Sequence, residues 1–191
     1  MNVTCYQEVN LKNQITTVIN LFGESGAGKS TLAAELYAKM KKRGLKVELV
    51  REFAKELAWD GRVIGPFDQI AIIGEQMRRE SSLFGKVDYI ITDSPAMLGA
   101  FYMDYNHNQD FMTDTVSKYI SYARYDHDVL FKNIMVERQG EYEVSGRYET
   151  EAQANQMRIN LKDFLWREGV KFNDYTNLDD ILDVARKSLA W

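Results

Sequence analysis

The 191-residue sequence has one cysteine, two prolines and no long apolar run, and each shortage excludes a class of protein. The single Cys5 cannot form an intrachain disulfide, which excludes a disulfide-stabilised secreted domain. No run approaches the roughly 20 apolar residues that a membrane-spanning helix needs. The N-terminus also lacks the basic-then-apolar pattern of a secretory signal. We therefore expect a cytoplasmic protein with no membrane partner.

Positive charge is not in excess either, because 24 Lys and Arg residues stand against 28 Asp and Glu residues, a net charge of −4. This balance argues against a general nucleic-acid coat, although a local basic patch can still meet an anionic ligand. No Pro/Ser-rich linker interrupts the chain, and its length fits one core. We expect an N-terminal arm over residues 1–14 and a single domain over residues 15–191.

Apolar runs of strand length alternate with helical patterns along the chain, which predicts βαβ units around a parallel sheet. The predicted strands cover residues 15–22, 46–50, 87–92, part of 128–136, and 170–175. The predicted helices cover residues 29–42, a segment that begins at Pro66, and residues 110–124, 149–167 and 178–189. The fold class is therefore predicted to be α/β.

The clearest chemical motif is Gly-x-x-x-x-Gly-Lys-Ser, which lies between the first predicted strand and the first predicted helix. Glycines in such a loop let backbone N–H groups approach phosphate oxygens at a helix N-terminus. We expect Lys29 to reach the β- and γ-phosphates of ATP, and the Ser30 hydroxyl to bind Mg²⁺. The predicted nucleotide-binding residues are Gly23, Glu24, Ser25, Gly26, Ala27, Gly28, Lys29, Ser30 and Thr31.

A second candidate is the aspartate at the end of VDYIITDSP, an apolar run that predicts the third strand. Asp93 stands at the Walker B position, where a carboxylate holds Mg²⁺ directly or through water. The alternative interpretation is that Asp93 caps the following helix, since aspartate is common at strand-to-helix junctions. The metal role is favoured because the preceding loop supplies its context.

The acceptor side is predicted from residues after the second strand. Glu52 follows that strand at the edge of the sheet where ligands collect, so its carboxylate could take or orient the proton of an acceptor hydroxyl. The alternative is a solvated surface glutamate. Gln76 and Arg79 are further acceptor-binding candidates, although such an arginine is often only an ion-pair partner. Trp59 has two interpretations, a packing residue or a stacking partner for an acceptor base.

A charged, glycine-containing segment at residues 137–148 predicts a mobile lid. It carries Arg138 and Arg147, whose planar guanidinium groups suit the phosphates being transferred. Closure of such a loop would also exclude water, whose attack turns a kinase into an ATPase. The alternative is a solvated loop that happens to carry charge.

Five segments, in this order, resemble the AAA_28 type of stand-alone P-loop protein that is common in tailed-phage genomes: LFGESGAGKST, VELVREFAKELAWDGR, GEQMRRE, VDYIITDSP and SGRYETEAQA. That family is similar to the ribosylnicotinamide kinase domain of NadR and, more distantly, to deoxynucleoside and thymidylate kinases. The resemblance covers about residues 15–190. It implies a kinase-like P-loop NTPase fold, with a five-stranded parallel sheet flanked by helices and an arginine-containing lid.

The resemblance also implies roles for matching residues. Residues 23–31 would bind the nucleotide, Ser30 and Asp93 magnesium, and Glu52 the acceptor, while Arg138 and Arg147 would bind the phosphates. The DRxY and ERS signatures of deoxynucleoside kinases are missing, because Ser94 and Pro95 follow the aspartate. A nucleoside acceptor is therefore an analogy, and a phage-encoded chain would act in the host cytoplasm.

Other nucleotide-dependent proteins fit less well. A motor needs a catalytic glutamate beside the Walker B aspartate and a second domain, while a GTPase switch needs D-x-x-G and N-K-x-D motifs. The sequence has DSPA after the third strand and no N-K-x-D. The favoured hypothesis is a Mg-ATP-dependent kinase for a nucleoside- or nucleotide-like small molecule.

Two alternatives stay open at this point. One is a kinase that acts on a hydroxymethylated base in phage DNA, which the acidic charge disfavours without excluding a local groove. The other is a P-loop ATPase or switch without a small-molecule acceptor. The oligomeric state is open as well, with a homodimer as one alternative.

Overall fold

The computed structural model describes residues 14–61, 63–108, 110–138, 150–174 and 177–187, with the backbone alone for residues 184–187. Of the predicted N-terminal arm, only Gln14 belongs to this part, and its side-chain amide donates a hydrogen bond to Asp88. The tip of the predicted lid, with Arg147, lies outside the described residues. The division into arm, domain and lid stays a prediction.

Five parallel strands form one sheet. They are β1 (Thr16–Phe22), β2 (Val47–Val50), β3 (Tyr89–Thr92), β4 (Val129–Met135) and β5 (Asn173–Asp174). Their spatial order is β2-β3-β1-β4-β5. Every residue of the central β1 is buried, as expected for a strand of a parallel sheet covered on both faces. The predicted five-stranded parallel sheet is confirmed.

The last strand is shorter than predicted. A strand over residues 170–175 was expected, but only Asn173 and Asp174 pair with β4. Val170 and Phe172 pack against the apolar core instead of extending the ladder. Their apolar character, which suggested a strand, therefore reflects packing in the approach to the edge of the sheet.

Seven helices connect and flank the strands in the described residues. They are α1 (Lys29–Lys42), α2 (Ala54–Trp59), α3 (Pro66–Ser81), α4 (Ala96–His107), α5 (Phe111–Asp126), α6 (Glu151–Arg167) and α7 (Leu178–Lys187). The predicted bounds of α1 are confirmed. Helix α6 begins two residues later than predicted because Thr150 and Gln153 form a capping box at its start. Helices α2 and α4 were not predicted.

The two faces of the sheet are covered by different helices. On one face, α1 and α7 contribute Leu36, Met40 and Leu182 to a cluster with the inner strands. On the other face, α4 and α6 contribute Phe101 and Phe164, whose rings meet edge to face. With both faces covered and all strands parallel, the loops that follow the strands share one open edge, where ligands of α/β proteins bind.

Candidate functional site

The loop between β1 and α1 has a backbone that glycine adopts readily. Gly26 and Gly28 have φ angles of +83° and +88°, and Gly28 is the N-cap of α1. A Cβ on Gly23 would lie 2.7 Å from the backbone oxygen of Val136, directly after β4. The loop therefore packs tightly against the backbone of Val136 and leads into the N-terminus of α1. A helix N-terminus of this kind suits a phosphate group.

Lys29, the first residue of α1, lies back along this loop. Its Nζ donates hydrogen bonds of 2.9 Å to the backbone oxygens of Gly23 and of Glu24. A cation is thus held at the loop that is predicted to bind phosphate. Since the lysine is at the start of the helix, its charge adds to the positive end of the helix dipole.

Other predicted nucleotide-binding residues have different surroundings. Ala27 packs into the core, whereas Thr31 is exposed on α1. Glu24 is fully buried, and its two carboxylate oxygens have no hydrogen-bond partner in the described part of the chain. Burial of this glutamate was not foreseen in the sequence.

Three predicted residues from three loops meet in one small cleft of about 90 Å³. Ser30 comes from the start of α1, Glu52 from the loop after β2, and Asp93 from the loop after β3. The backbone N–H of Glu52 donates a 2.9 Å hydrogen bond to Oδ1 of Asp93. A hydroxyl, a buried carboxylate and a second carboxylate therefore line one cavity at the edge of the sheet.

Asp93 was interpreted either as a metal ligand or as the cap of the following helix, and the geometry around it favours the first interpretation. The N-cap of α4 is Pro95, and no side chain forms a capping hydrogen bond there. Asp93 instead accepts from the backbone beyond β2 and is only 4% exposed. The carboxylate is thus oriented into the cleft wall, where it could hold a cation together with Ser30.

The outer wall of the cleft is formed by α2 and the residue before Glu52. Arg51, Lys55, Glu56 and Trp59 line it. Lys55 and Glu56 were not predicted as site residues, because the six-residue α2 was not predicted. A usable signal was the four-residue spacing of Arg51, Lys55 and Trp59, which places the last two on one helical face.

Gln76 lies behind the cleft and does not line it. The side chain is 2% exposed, and its Nε2 donates a 3.0 Å hydrogen bond to the hydroxyl of Thr92. That hydroxyl also accepts from the backbone N–H of Ser94 at 3.2 Å. Gln76 is therefore linked to the two residues that flank Asp93, and it is placed to support that loop rather than to contact an acceptor.

Glu80, one turn further along α3, is buried beside Gln76. Its carboxylate accepts hydrogen bonds from Tyr119 Oη at 3.1 Å and from Gln76 Nε2 at 3.5 Å. Burial raises the pKa of Glu80 to about 7, against the lowering effect of these two hydrogen bonds. Burial, followed by the nearby Glu80 charge, also raises the pKa of Tyr119.

Arg79 connects α3 to α2. Its guanidinium lies 3.1 Å from a carboxylate oxygen of Glu56 and 2.9 Å from one of Glu75, and it stacks 4.8 Å from the ring centroid of Phe53. Hydrogen bonds from Arg78 and Arg79 lower the pKa of Glu75 to about 2. Arg79, which was predicted to contact the acceptor, therefore does not line the cleft and instead holds the helix that does.

Arg138 lies just beyond β4, at the start of the predicted lid. One of its guanidinium nitrogens, Nη2, donates to Glu151 at 2.9 Å and to Asn155 at 3.2 Å, both on α6. Its side chain is largely buried. The described residues thus place this cation between the end of β4 and the first turn of α6, while Arg147 lies outside them.

A magnesium ion in the cleft would need ligands from a nucleotide and from water in addition to those from the protein. Among the residues that the structure describes, no three His, Cys, Asp or Glu side chains are grouped to hold a metal. Ser30 and Asp93 would supply two oxygen ligands, and Mg²⁺ commonly takes its others from nucleotide phosphates and water. The donor set therefore fits a metal that arrives with a nucleotide.

The comparisons with known proteins agree with the fold described above. The family model AAA_28, described as an AAA domain, matches residues 18–179. NadR protein in complex with NR has a TM-score of 0.67 at 16% identity, over 91% of this chain and 51% of that one. A deoxyadenosine kinase from M. mycoides, with dCMP and dCDP, has a TM-score of 0.54 at 18% identity, over 90% and 98%.

A third similar structure is APE1195, with a TM-score of 0.51 at 13% identity, over 93% of this chain and 98% of that one. Identities this low show the fold alone, so the likeness establishes a P-loop architecture with kinase-like relatives. No curated protein matches the chain. In the described residues, no helix has the length and apolar character needed to cross a membrane.

Proposed function

Because the chain belongs to the AAA_28 family and carries a complete Gly-x-x-x-x-Gly-Lys-Ser motif, we propose that it is a Mg-ATP-dependent kinase for a nucleoside-like acceptor. The observation that carries the proposal is the cleft where Ser30, Glu52 and Asp93 meet beside that loop. A motor is expected to carry its catalytic glutamate next to the Walker B aspartate in the sequence, where this chain has Ser94. A kinase needs a carboxylate that faces an acceptor, because the acceptor hydroxyl must be oriented and deprotonated, and Glu52 in the open cleft supports that role.

The donor half of the reaction is assigned to the glycine loop and its neighbours. Backbone N–H groups of the loop and the Lys29 ammonium would bind the β- and γ-phosphates. Ser30 and Asp93 would hold Mg²⁺, which neutralises charge on the phosphates when it is bound. Arg138 and Arg147 are proposed to neutralise the phosphoryl group during transfer.

The acceptor half is assigned to Glu52. In the transfer, a bond forms between the acceptor oxygen and the γ-phosphorus, while the bond from that phosphorus to the β–γ bridging oxygen breaks. The hydroxyl proton passes to the Glu52 carboxylate and then to solvent, and ADP leaves. Asp93 accepts from the Glu52 backbone, so the metal position and the base position are coupled through one 2.9 Å hydrogen bond.

The test uses labelled ATP with a panel of nucleosides, nucleoside monophosphates, nicotinamide riboside and hydroxymethylated DNA. We expect Mg²⁺-dependent transfer to at least one acceptor in the panel. Glu52→Gln should lower the transfer rate by roughly 10² to 10⁴-fold while leaving ATP affinity unchanged, if the carboxylate is the base.

The matched control is Glu35→Gln, which changes an exposed glutamate on α1 outside the cleft. Its transfer rate should equal that of the wild type. ATP hydrolysis without transfer to any member of the panel would overturn the kinase assignment. Equal loss of transfer and of ATP binding in Glu52→Gln would show that the residue is structural.

A further inference from the structure

Two cations on the outer wall of the cleft have no carboxylate partner among the residues that the structure describes. Arg51 and Lys55 both line the cleft and are exposed. Neither forms an ion pair or a hydrogen bond through its side chain with any other residue that the structure describes. In contrast, Arg79, which lies behind the same helix, contacts two carboxylates. Two unpaired cations beside one cavity attract an anion.

The remaining charges of the cleft are divided between its inner and outer parts. The outer wall also contains Glu56, but the Arg79 guanidinium 3.1 Å away offsets that charge. The inner part contains Asp93, which is 4% exposed, and Glu52 beside it. The cleft is therefore negative where a hydroxyl would be deprotonated and positive towards solvent.

Trp59 adds a planar apolar surface to the same wall. Its side chain is 77% exposed although it lines the cleft. Lys55 and Trp59 are four residues apart on α2, so they lie on one face of the helix. An indole ring beside a cation suits a ligand that combines an aromatic ring with a negative charge.

We propose that the acceptor carries a phosphate of its own, bound by Arg51 and Lys55, in addition to the hydroxyl that receives the γ-phosphate. The acceptor would then be a hydroxyl-bearing nucleotide rather than a neutral nucleoside. This inference rests on the proposed kinase function for the identity of the reacting hydroxyl. The polarity of the cleft sets the orientation, because a phosphate beside Glu52 and Asp93 would be repelled and one beside Arg51 and Lys55 would be attracted.

Equilibrium binding tests this inference without any need for phosphoryl transfer. The glycine loop is first saturated with Mg-ADP, so that a phosphate-bearing probe cannot occupy it. The probes are the four 2′-deoxynucleoside 3′-monophosphates and the four matching 2′-deoxynucleosides, all of which have a free 5′-hydroxyl. Affinities are measured by titration calorimetry for the wild type, for Arg51→Gln/Lys55→Gln, and for the control Lys42→Gln/Arg124→Gln, which removes two exposed cations outside the cleft.

We expect at least one 3′-monophosphate to bind the wild type about tenfold or more tightly than its nucleoside. The double variant in the cleft should lose roughly 10 to 100-fold of this affinity and keep its affinity for the nucleoside. The control variant should match the wild type. Equal affinity of wild type for both kinds of probe, or an unchanged preference in the double variant, would overturn the inference.

A further arm distinguishes the sources of the phosphate. Dinucleotides with a free 5′-hydroxyl carry a bridging phosphodiester, as the end of a nucleic acid does. Tighter binding of the dinucleotide, lost in the same double variant, would identify a nucleic-acid end, whereas equal or weaker binding identifies a mononucleotide. If phosphate-bearing probes bind more tightly but no acceptor is phosphorylated, the kinase proposal fails and the anion site stands. If neutral nucleosides are phosphorylated and phosphate-bearing probes bind no more tightly, the kinase proposal stands and the anion site fails.

Discussion

The two parts of the proposed site are built in different ways. The proposed donor wall is the glycine loop beside the cleft, which is fixed by left-handed glycines and by a contact of Gly23 so close that a Cβ would collide. The proposed acceptor wall is α2, which has no buried residue and is joined to α3 through the ion pair of Arg79 with Glu56. We therefore expect the proposed donor wall to tolerate little change, and the side chains of the proposed acceptor wall to vary without cost to the core.

The largest expected effect comes from the donor wall. Lys29→Ala removes the ammonium that lies against the backbone of the glycine loop, where transition-state charge would be stabilised. Transfer should fall by about 10³-fold or more, while the thermal midpoint changes little. The measurement is the single-turnover rate with labelled ATP, and Lys42→Ala, an exposed lysine at the far end of α1, is the control. Retention of transfer within tenfold would contradict the donor role.

The second effect concerns the interior behind the cleft, where Glu80 is buried beside Gln76. Its folded-state pKa of about 7 exceeds the ordinary value of 4.5, so the folded state holds the proton more tightly than the unfolded state. The stabilisation is complete below about pH 4.5 and is lost as the pH rises through 7. At roughly 1.4 kcal/mol for each pKa unit, this contribution amounts to about 3 kcal/mol.

Glu80→Gln keeps hydrogen-bonding atoms beside Tyr119 and Gln76 but cannot titrate. Denaturant unfolding should show that the free energy of unfolding of the variant declines less between pH 4.5 and 7 than that of the wild type. The exposed Glu35→Gln variant should follow the wild-type profile. Parallel profiles for wild type and Glu80→Gln would mean that the carboxyl is not the titrating group.

The third effect distinguishes a steric clash at Gly23 from the backbone strain that a positive φ imposes on any residue with a Cβ. Gly23→Ala should lower the free energy of unfolding by about 1 to 3 kcal/mol and weaken ADP binding about tenfold or more, because its Cβ would lie 2.7 Å from an oxygen. Gly85→Ala is the control, since Gly85 also has a positive φ of +70° but its Cβ would meet no atom within 4 Å. If both variants bind ADP equally well, the close approach at Gly23 is not needed for the site.

The smallest effect is expected on the acceptor wall. Arg79→Met keeps an apolar stem against Phe53 but removes the ion pairs with Glu56 and Glu75. The acceptor KM should rise roughly 5 to 10-fold, with kcat and ATP affinity nearly unchanged and stability lower by less than about 1 kcal/mol. Arg78→Met is the matched control, because Arg78 pairs with Glu75 without contacting α2. Equal KM changes in both variants would contradict a specific role for Arg79.

Local sequence patterns predicted some elements well and missed others for identifiable reasons. The bounds of α1 were predicted because Leu32, Leu36 and Met40 recur on one face. Helix α4 was missed because its first six residues are all buried, so that half of the helix has no polar face and shows no helical period. Helix α2 was missed because its six residues contain only one helical repeat, the four-residue spacing of Lys55 and Trp59.

The amino-acid sequence alone predicts the α/β class, and it predicts a phosphate site because the expected strand, glycine motif and helix follow one another within residues 15–42. It also predicts Asp93 after β3 and Glu52 after β2 as separate candidates. Folding brings Ser30, Glu52 and Asp93 into one cleft and keeps Gln76 and Arg79 outside it. It also places Arg51 and Lys55 along the cleft with no side-chain partner among the described residues. The sequence pattern could not show these neighbours, because strand order and helix packing bring together segments that are far apart in the chain.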